Sequence, residues 1–343
     1  MTDSLRIEMK SESTSSDMEK VVQQLKTAGL TVSVNETTPI YLSVQGSITD
    51  SCITSLKTNP VISELKEVTG TYRLTSREFH PGNSKVQVGD IEIGGSDFVT
   101  MAGPCSVETL EQMMTCARIA HEGGAKVLRG GAFKPRTSPY AFQGLEEEGL
   151  IYLRQAADEY GLKVITEVMD EANLELVCKY TDIIQIGARN MQNFRLLEAV
   201  GKTTKPVALK RGISGTIDEW LHAAEYIAAK GNTNIIFVER GIRTYETATR
   251  NTFDVSAVPV VQKLSHFPII VDPSHGVGVW DIVPPMALAG VAAGASGMIV
   301  EIHPNPSEAW SDGPQSLNEQ NYLTMMKKVN ILSQTMKELA QFD

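Results

Sequence analysis

The chain is short of positive charge: Lys and Arg together number 31 against 41 Asp and Glu, a formal net charge of -10. Nucleic acid or an acidic membrane, held by non-specific electrostatics, would need a basic surface, so neither is expected as a partner. Cysteine is scarce as well. Cys52, Cys105, Cys116 and Cys178 form no CxxC pair and no dense framework, so a reducing, cytoplasmic compartment is the expectation. Long hydrophobic runs are missing. The longest apolar stretch, residues 282–300, is broken by Pro284, Pro285, three glycines and Ser296, and reads as a loop, a small-residue helix and the start of a strand. The opening MTDSLRIEMKSES has no apolar core of the kind a secretory signal carries. No GxGxxG follows the first strand of the larger domain, which argues against a dinucleotide fold.

What remains is a composition suited to a globular protein, 42% hydrophobic and 21% charged over 343 residues, enough for one large domain and one small one. Residues 1–80 read as strand, helix, strand, strand, helix, strand, the split βαβ plan of a ferredoxin-like domain. Ser15, Ser16 or Asp17 is suited to cap its first helix, and Pro39 to open an edge strand. Its apolar faces suit either an ordinary core and interface or a small-ligand regulatory module. Next, KVQVGDIEIGG alternates around Gly89-Asp90 and predicts a hairpin.

From residue 98 onward, short apolar strands alternate with helix-length amphipathic segments. The strands fall at 98–102, 126–129, 163–167, 183–186, 206–210, 235–239, 269–272 and 298–302, and a last helix at 319–339. Eight such units predict a (β/α)8 barrel over residues 81–343, with the hairpin as a plug on its bottom. A doubly wound sheet, the rival, usually stops near six strands.

In a barrel the C-terminal strand ends converge on one face, where the site forms. The stretch VLRGGAFKPRTSPYAFQG at 127–144 delivers Arg129, Lys134 and Arg136 with Thr137 and Ser138 to one such end. Cations crowded into a tight turn repel one another unless an anion, phosphate or carboxylate, sits among them. Other ends add Glu167, Gln185 with Arg189, Lys210 with Arg211, Glu239 with Arg240, Asp272 with His275, and Glu301 with His303. Charges buried unpaired would each cost several kcal/mol, so these must pair with one another or with a ligand. Cys105, His275, Glu301 and Asp312 offer sulfur, nitrogen and oxygen donors for a borderline divalent metal such as Zn, Mn or Fe. Cys105 has a second reading as a thiolate nucleophile beside His275. Cys116 and Cys178 read as buried helix fillers.

AGPCSVE at 102–108, LRGGAFKPRTSPYAFQG at 128–144, QIGARN at 185–190, LKRG at 209–212, VERG at 238–241, VDPSHG at 271–276, VEIHPNP at 300–306 and AWSDG at 309–313 resemble the 3-deoxy-D-arabino-heptulosonate 7-phosphate synthase family. The resemblance is to the class whose barrel is close to that of the 3-deoxy-octulosonate 8-phosphate synthases. It implies a metal-dependent, aldol-like condensation of phosphoenolpyruvate with erythrose 4-phosphate, at the entrance to the shikimate pathway. It implies Cys105, His275, Glu301 and Asp312 as ligands of Mn2+, with Zn2+, Fe2+, Co2+ or Cd2+ as substitutes. Arg129, Lys134, Arg189, Lys210 and Arg240 would hold phosphoenolpyruvate, and Arg136, Thr137 and Ser138 the aldose phosphate. Lys134, Glu167, Asp272 and His275 would lie at the chemistry. The N-terminal domain resembles the ACT-type extension of some members, which implies feedback by tyrosine or phenylalanine, and the family implies a homotetramer. The octulosonate enzyme, acting on arabinose 5-phosphate, is the alternative; KPRTS argues against it, since that relative carries an alanine-asparagine-arginine stretch there.

Overall fold

The computed structural model describes residues 2–35, 39–134, 138 and 140–342, which fall into two compact units. The first comprises residues 1–83 together with 263–266, and the second the remainder.

In the first unit, β1 (Thr2–Met9), β2 (Thr31–Asn35), β3 (Tyr41–Ile48) and β4 (Ile62–Glu67) form one antiparallel sheet in the order β2-β3-β1-β4. Helices α1 (Ser15–Thr27) and α2 (Asp50–Lys57) connect β1 to β2 and β3 to β4. Each βαβ half therefore leaves a gap that a strand of the other half fills, the split βαβ plan. Alternation sends Leu5, Ile7 and Met9 of β1 to one face, where Val21 and Leu25, one turn apart on α1, meet them. The cap of α1 is Thr14, one residue ahead of the expected candidates. Its hydroxyl accepts from the Asp17 amide while the Asp17 carboxylate accepts from the Thr14 amide, closing a capping box. Strand β4 ends at Glu67.

The second unit opens with a hairpin, β5 (Val86–Val88) paired with β6 (Ile91–Ile93) across a turn in which Gly89 takes φ +62°. Eight parallel strands follow and close on themselves: β7 (Val99–Gly103), β8 (Val127–Arg129), β9 (Lys163–Val168), β10 (Ile183–Ile186), β11 (Val207–Lys210), β12 (Ile235–Glu239), β13 (Ile269–Val271) and β14 (Gly297–Glu301), with β14 pairing back to β7. Helices alternate with these strands, the last of them a long helix at Glu319–Leu339. The chain is a (β/α)8 barrel with a separate antiparallel domain before it.

The barrel interior holds Val99, Met101, Val127, Ile165, Ile183, Ala208, Ile236, Val238, Ile270 and Ile299, with Val86, Val88 and Ile93 of the hairpin packed into the same cluster. The hairpin thus seals the N-terminal end, which leaves the C-terminal face for chemistry. Ile93 is fully buried there. Ile93→Ala is expected to cost about 2–5 kcal/mol of unfolding free energy, read as a lower urea midpoint with an unchanged slope.

Candidate active site

Strand alternation decides which side chains reach the interior. Two residues beyond core-facing Val127, Ile165, Ile183, Ala208, Val238, Ile270 and Ile299 stand Arg129, Glu167, Gln185, Lys210, Arg240, Asp272 and Glu301. The residues of opposite parity face the other way. Arg211 lies 3.0 Å from Glu239 and 2.8 Å from Asp254; His303, past the end of β14 and so outside this rule, turns to Glu108 at 3.2 Å. These five side chains are spent on structural pairs with one another, and none of them lines the cavity.

That cavity, about 490 Å³, opens over the C-terminal strand ends. Arg129, Lys134, Arg189, Lys210, Arg240, Arg243 and Arg250 line it, with Ser138, Glu167, His275 and Asp312. Arg136 and Thr137 lie outside the described residues. Sequence reasoning missed Arg243 and Arg250, although the arginine-rich loop RGIRTYETATRN directly after β12 was a usable signal.

Buried charge is balanced by a chain of contacts. Arg129 Nη1 donates to Glu301 Oε1; His275 Nε2 is 3.4 Å from that oxygen; His275 Nδ1 is 2.8 Å from Asp272 Oδ2; and Lys210 Nζ donates to the same Asp272 oxygen at 2.6 Å. Asp272 also caps the short helix Pro273–Val277, its Oδ1 accepting from the His275 amide at 3.0 Å. One carboxylate therefore holds the backbone of His275 and lies beside its imidazole, whose Nδ1 is close to it without hydrogen-bond geometry. Burial pushes the Asp272 carboxyl up, but His275 and Lys210 outweigh it and hold it well below the usual range. Burial depresses Lys210, against the pull of Asp272.

Arg240 stands outside this chain of contacts. Its guanidinium is buried, and its Nε and Nη1 have no hydrogen-bond partner among the described residues. Orphaned buried N–H groups cost about 1–3 kcal/mol apiece. In a cation-lined cavity, an anionic ligand is what would satisfy them.

Beside this anion site the Cys105 sulfur and carboxylate oxygens of Glu301 and Asp312 all lie within 4.8 Å of one another. His275, through the contact already given, stands next to Glu301. The group within that spacing is one sulfur and two carboxylates, and His275 stands outside it; with sulfur among the donors it fits a borderline divalent metal better than Mg or Ca, which prefer oxygen alone. Burial, then Glu301, pushes the Cys105 thiol up to about 11. As a thiol it donates to Asp312 Oδ2 at 3.3 Å and accepts from Lys134 Nζ at 3.0 Å. A raised thiol with no imidazole in hydrogen-bond contact is a poor nucleophile, so the ligand reading of Cys105 is favoured over the nucleophile one.

Outside the cavity, Cys116 is buried, whereas Cys178 is only partly so, less than a helix filler requires. Gly187, directly after β10, lies so close to Glu167 that a Cβ there would fall 2.0 Å from Glu167 Oε1.

The chain matches the model of the DAHP synthetase I family over residues 73–338. It belongs to that family. Phospho-2-dehydro-3-deoxyheptonate aldolase of Thermotoga maritima is 52% identical over 272 residues, covering 79% of this chain and 80% of that protein. A 2-dehydro-3-deoxyphosphooctonate aldolase of Fusobacterium nucleatum is 32% identical, covering 68% and 90%. Among solved structures, the T. maritima DAHP synthase matches at TM-score 0.77 with 47% identity over 98% of both chains. Its truncated form matches at TM-score 0.73 with 51% identity, over 78% of this chain and 98% of that one. The family match spans the whole barrel and every strand end that lines the cavity.

Two substitutions test this geometry. Asp272→Asn keeps the cap but strips Lys210 of its counter-charge; a loss of about 3–5 kcal/mol in stability is expected from breaking such a buried pair, measured by urea unfolding. Gly187→Ala should displace Glu167 and cut kcat at least tenfold with the circular dichroism spectrum intact. Near-normal kcat would show that the Glu167 position does not matter.

Proposed function

We propose that this chain condenses phosphoenolpyruvate with D-erythrose 4-phosphate and water to give 3-deoxy-D-arabino-heptulosonate 7-phosphate and phosphate, the first step of the shikimate pathway. Family membership supports the reaction class. The observation that carries the reading is Arg240, buried with two unpartnered N–H groups in a cavity lined by cations, directly beside the Cys105, Glu301 and Asp312 donors.

In this reading Arg129, Lys134, Arg189, Lys210 and Arg240 bind the phosphate and carboxylate of phosphoenolpyruvate. Arg136, Thr137 and Ser138 take the phosphate end of the aldose. Family members depend on a divalent metal, and Cys105, His275, Glu301 and Asp312 would hold it here, with Mn2+ as the preferred ion and Zn2+, Fe2+, Co2+ or Cd2+ as substitutes. When bound, that metal supplies Lewis acidity toward the aldehyde oxygen.

The residues of the chain supply the rest. C3 of phosphoenolpyruvate attacks the aldehyde carbon, which leaves C2 electron-poor until water adds to it. Glu167, held by Gln185 Nε2 at 3.0 Å, faces the cavity as the carboxylate suited to that carbon or to the incoming water. Phosphate then leaves from C2 with its bridging oxygen. Cations fixed in advance by buried partners stabilise the charge it gains without reorganising. Asp272 fixes Lys210 and orients His275. Lys134 is anchored on the Cys105 carbonyl at 2.9 Å as well as on its sulfur, which puts an ammonium between the anion site and the donor set.

The first unit is proposed as the module through which tyrosine or phenylalanine inhibits, the assembly as a homotetramer, and the compartment as the cytoplasm. Among the described residues no helix is long and apolar enough to cross a membrane.

The deciding experiment follows phosphoenolpyruvate consumption with erythrose 4-phosphate or arabinose 5-phosphate, before and after EDTA. Loss only with the four-carbon sugar, abolished by EDTA and restored by Mn2+, is expected. Preference for the five-carbon sugar would transfer the chain to the octulosonate reaction. Cys105→Ala should lose both turnover and bound metal; a variant that kept both would remove Cys105 from the ligand set. Deletion of residues 1–80 should leave turnover but abolish inhibition by the aromatic amino acid, and a truncated protein still fully inhibited would refute the regulatory assignment.

A further inference from the structure

Gln315 is almost wholly buried, and no motif described above includes it. Its amide is fixed at both ends. Nε2 donates to Glu301 Oε2 at 2.6 Å, and Oε1 accepts from Arg250 Nη1 at 2.6 Å. The same Arg250 nitrogen lies 3.4 Å from Asp312 Oδ2. Glu301 and Asp312, carboxylates of the proposed metal cage, are thus tied together from behind by one amide and one guanidinium.

The direction of these bonds matters. An amide can present either its oxygen or its NH2 group, and the flip is set by its partners. Arg250 can only donate, so it claims the Gln315 oxygen and turns the NH2 group toward Glu301. A carboxylate accepting on one oxygen from a buried amide is held in one rotamer. Asp312 itself sits in the left-handed region at φ 50°, a costly conformation for a residue with a side chain, between a bend and a short 3-10 turn of Gly313–Gln315, and its carbonyl accepts from the Gln315 amide at 3.2 Å. Arg250 and Asp312 also line a second, shallower cleft of about 440 Å³ with Thr247, Gly278 and Pro314, so their pair forms part of the wall between the main cavity and that cleft.

We propose that Gln315 and Arg250 are positioning residues of the metal cage: Arg250 orients the Gln315 amide, Gln315 fixes Glu301, and Arg250 fixes Asp312 and shuts the cage off from the second cleft. The inference rests on the metal-cage reading given above. Residues that orient ligands in this way are typically worth about 10–100-fold in metal affinity.

The test measures Mn2+ dissociation constants from the electron paramagnetic resonance signal of free Mn2+, on full-length wild type, Arg250→Ala, Arg250→Lys and Gln315→Leu. KM for phosphoenolpyruvate is measured at saturating Mn2+. Arg250→Ala and Gln315→Leu should each weaken Mn2+ binding by about 10–100-fold, with Arg250→Lys partly restoring it and the KM changing less than threefold. Arg250 is partly exposed, so its alanine variant is expected to fold even where Gln315→Leu does not. Unchanged Mn2+ affinity in Arg250→Ala with a tenfold higher KM would overturn the proposal and make Arg250 a substrate-binding residue. Unchanged affinity and unchanged KM would overturn it as well. Should wild type itself fail to bind Mn2+, the cage reading falls first, a result distinct from either.

Discussion

Charge could not be buried at the mouth of this barrel without the run of contacts from Arg129 through Glu301, His275 and Asp272 to Lys210. Desolvating an ion costs several kcal/mol, and only a partner in good geometry offsets it. Here each anion meets a cation or imidazole on either side, so no member stands alone. Arg240, the cation whose Nε and Nη1 find no partner, lies beside this run rather than in it. The site is therefore poised to be completed by an anion at one end and by a cation among its donor groups at the other.

This arrangement follows from strand geometry. A pleated strand sends alternate side chains inward, and the hairpin fills the lower interior. On seven of the eight strands, the next inward position above the apolar layer carries a polar or charged group. The same rule explains why Glu239 and Arg211, adjacent to Arg240 and Lys210 in sequence, took no part in the cavity. They lie on the outward face and neutralise each other.

The eight strands, the plug, the split βαβ domain and the gathering of polar residues at the strand ends were legible in the sequence, because each rests on local periodicity or on a residue type at a known strand position. What was not legible depended on side chains meeting across loops. Arg250 reaches Gln315 over 65 positions of chain, and nothing local in AWSDGPQ marks its glutamine as the partner of Glu301. The cap on α1 slipped by one residue because Thr14 and Ser15 are chemically near equivalent, and only the backbone angle at Thr14 chooses between them. Cys178 shows the opposite failure. Its helical spacing suggested burial, and the packing leaves it partly exposed.

The first unit is not one continuous length of chain. Residues 263–266 belong to it, although some 180 positions separate them from residue 83. Within it, His266 Nε2 donates to the Leu74 carbonyl at 2.7 Å, its ring stacks on His80 at 4.3 Å between centroids, and Ser265 bridges Ser76. A module bounded by one linker can be exchanged between relatives by a single crossover. This one cannot, because a foreign N-terminal piece would meet a tetrapeptide fitted to Leu74, Ser76 and His80, and a productive exchange would have to carry both stretches together.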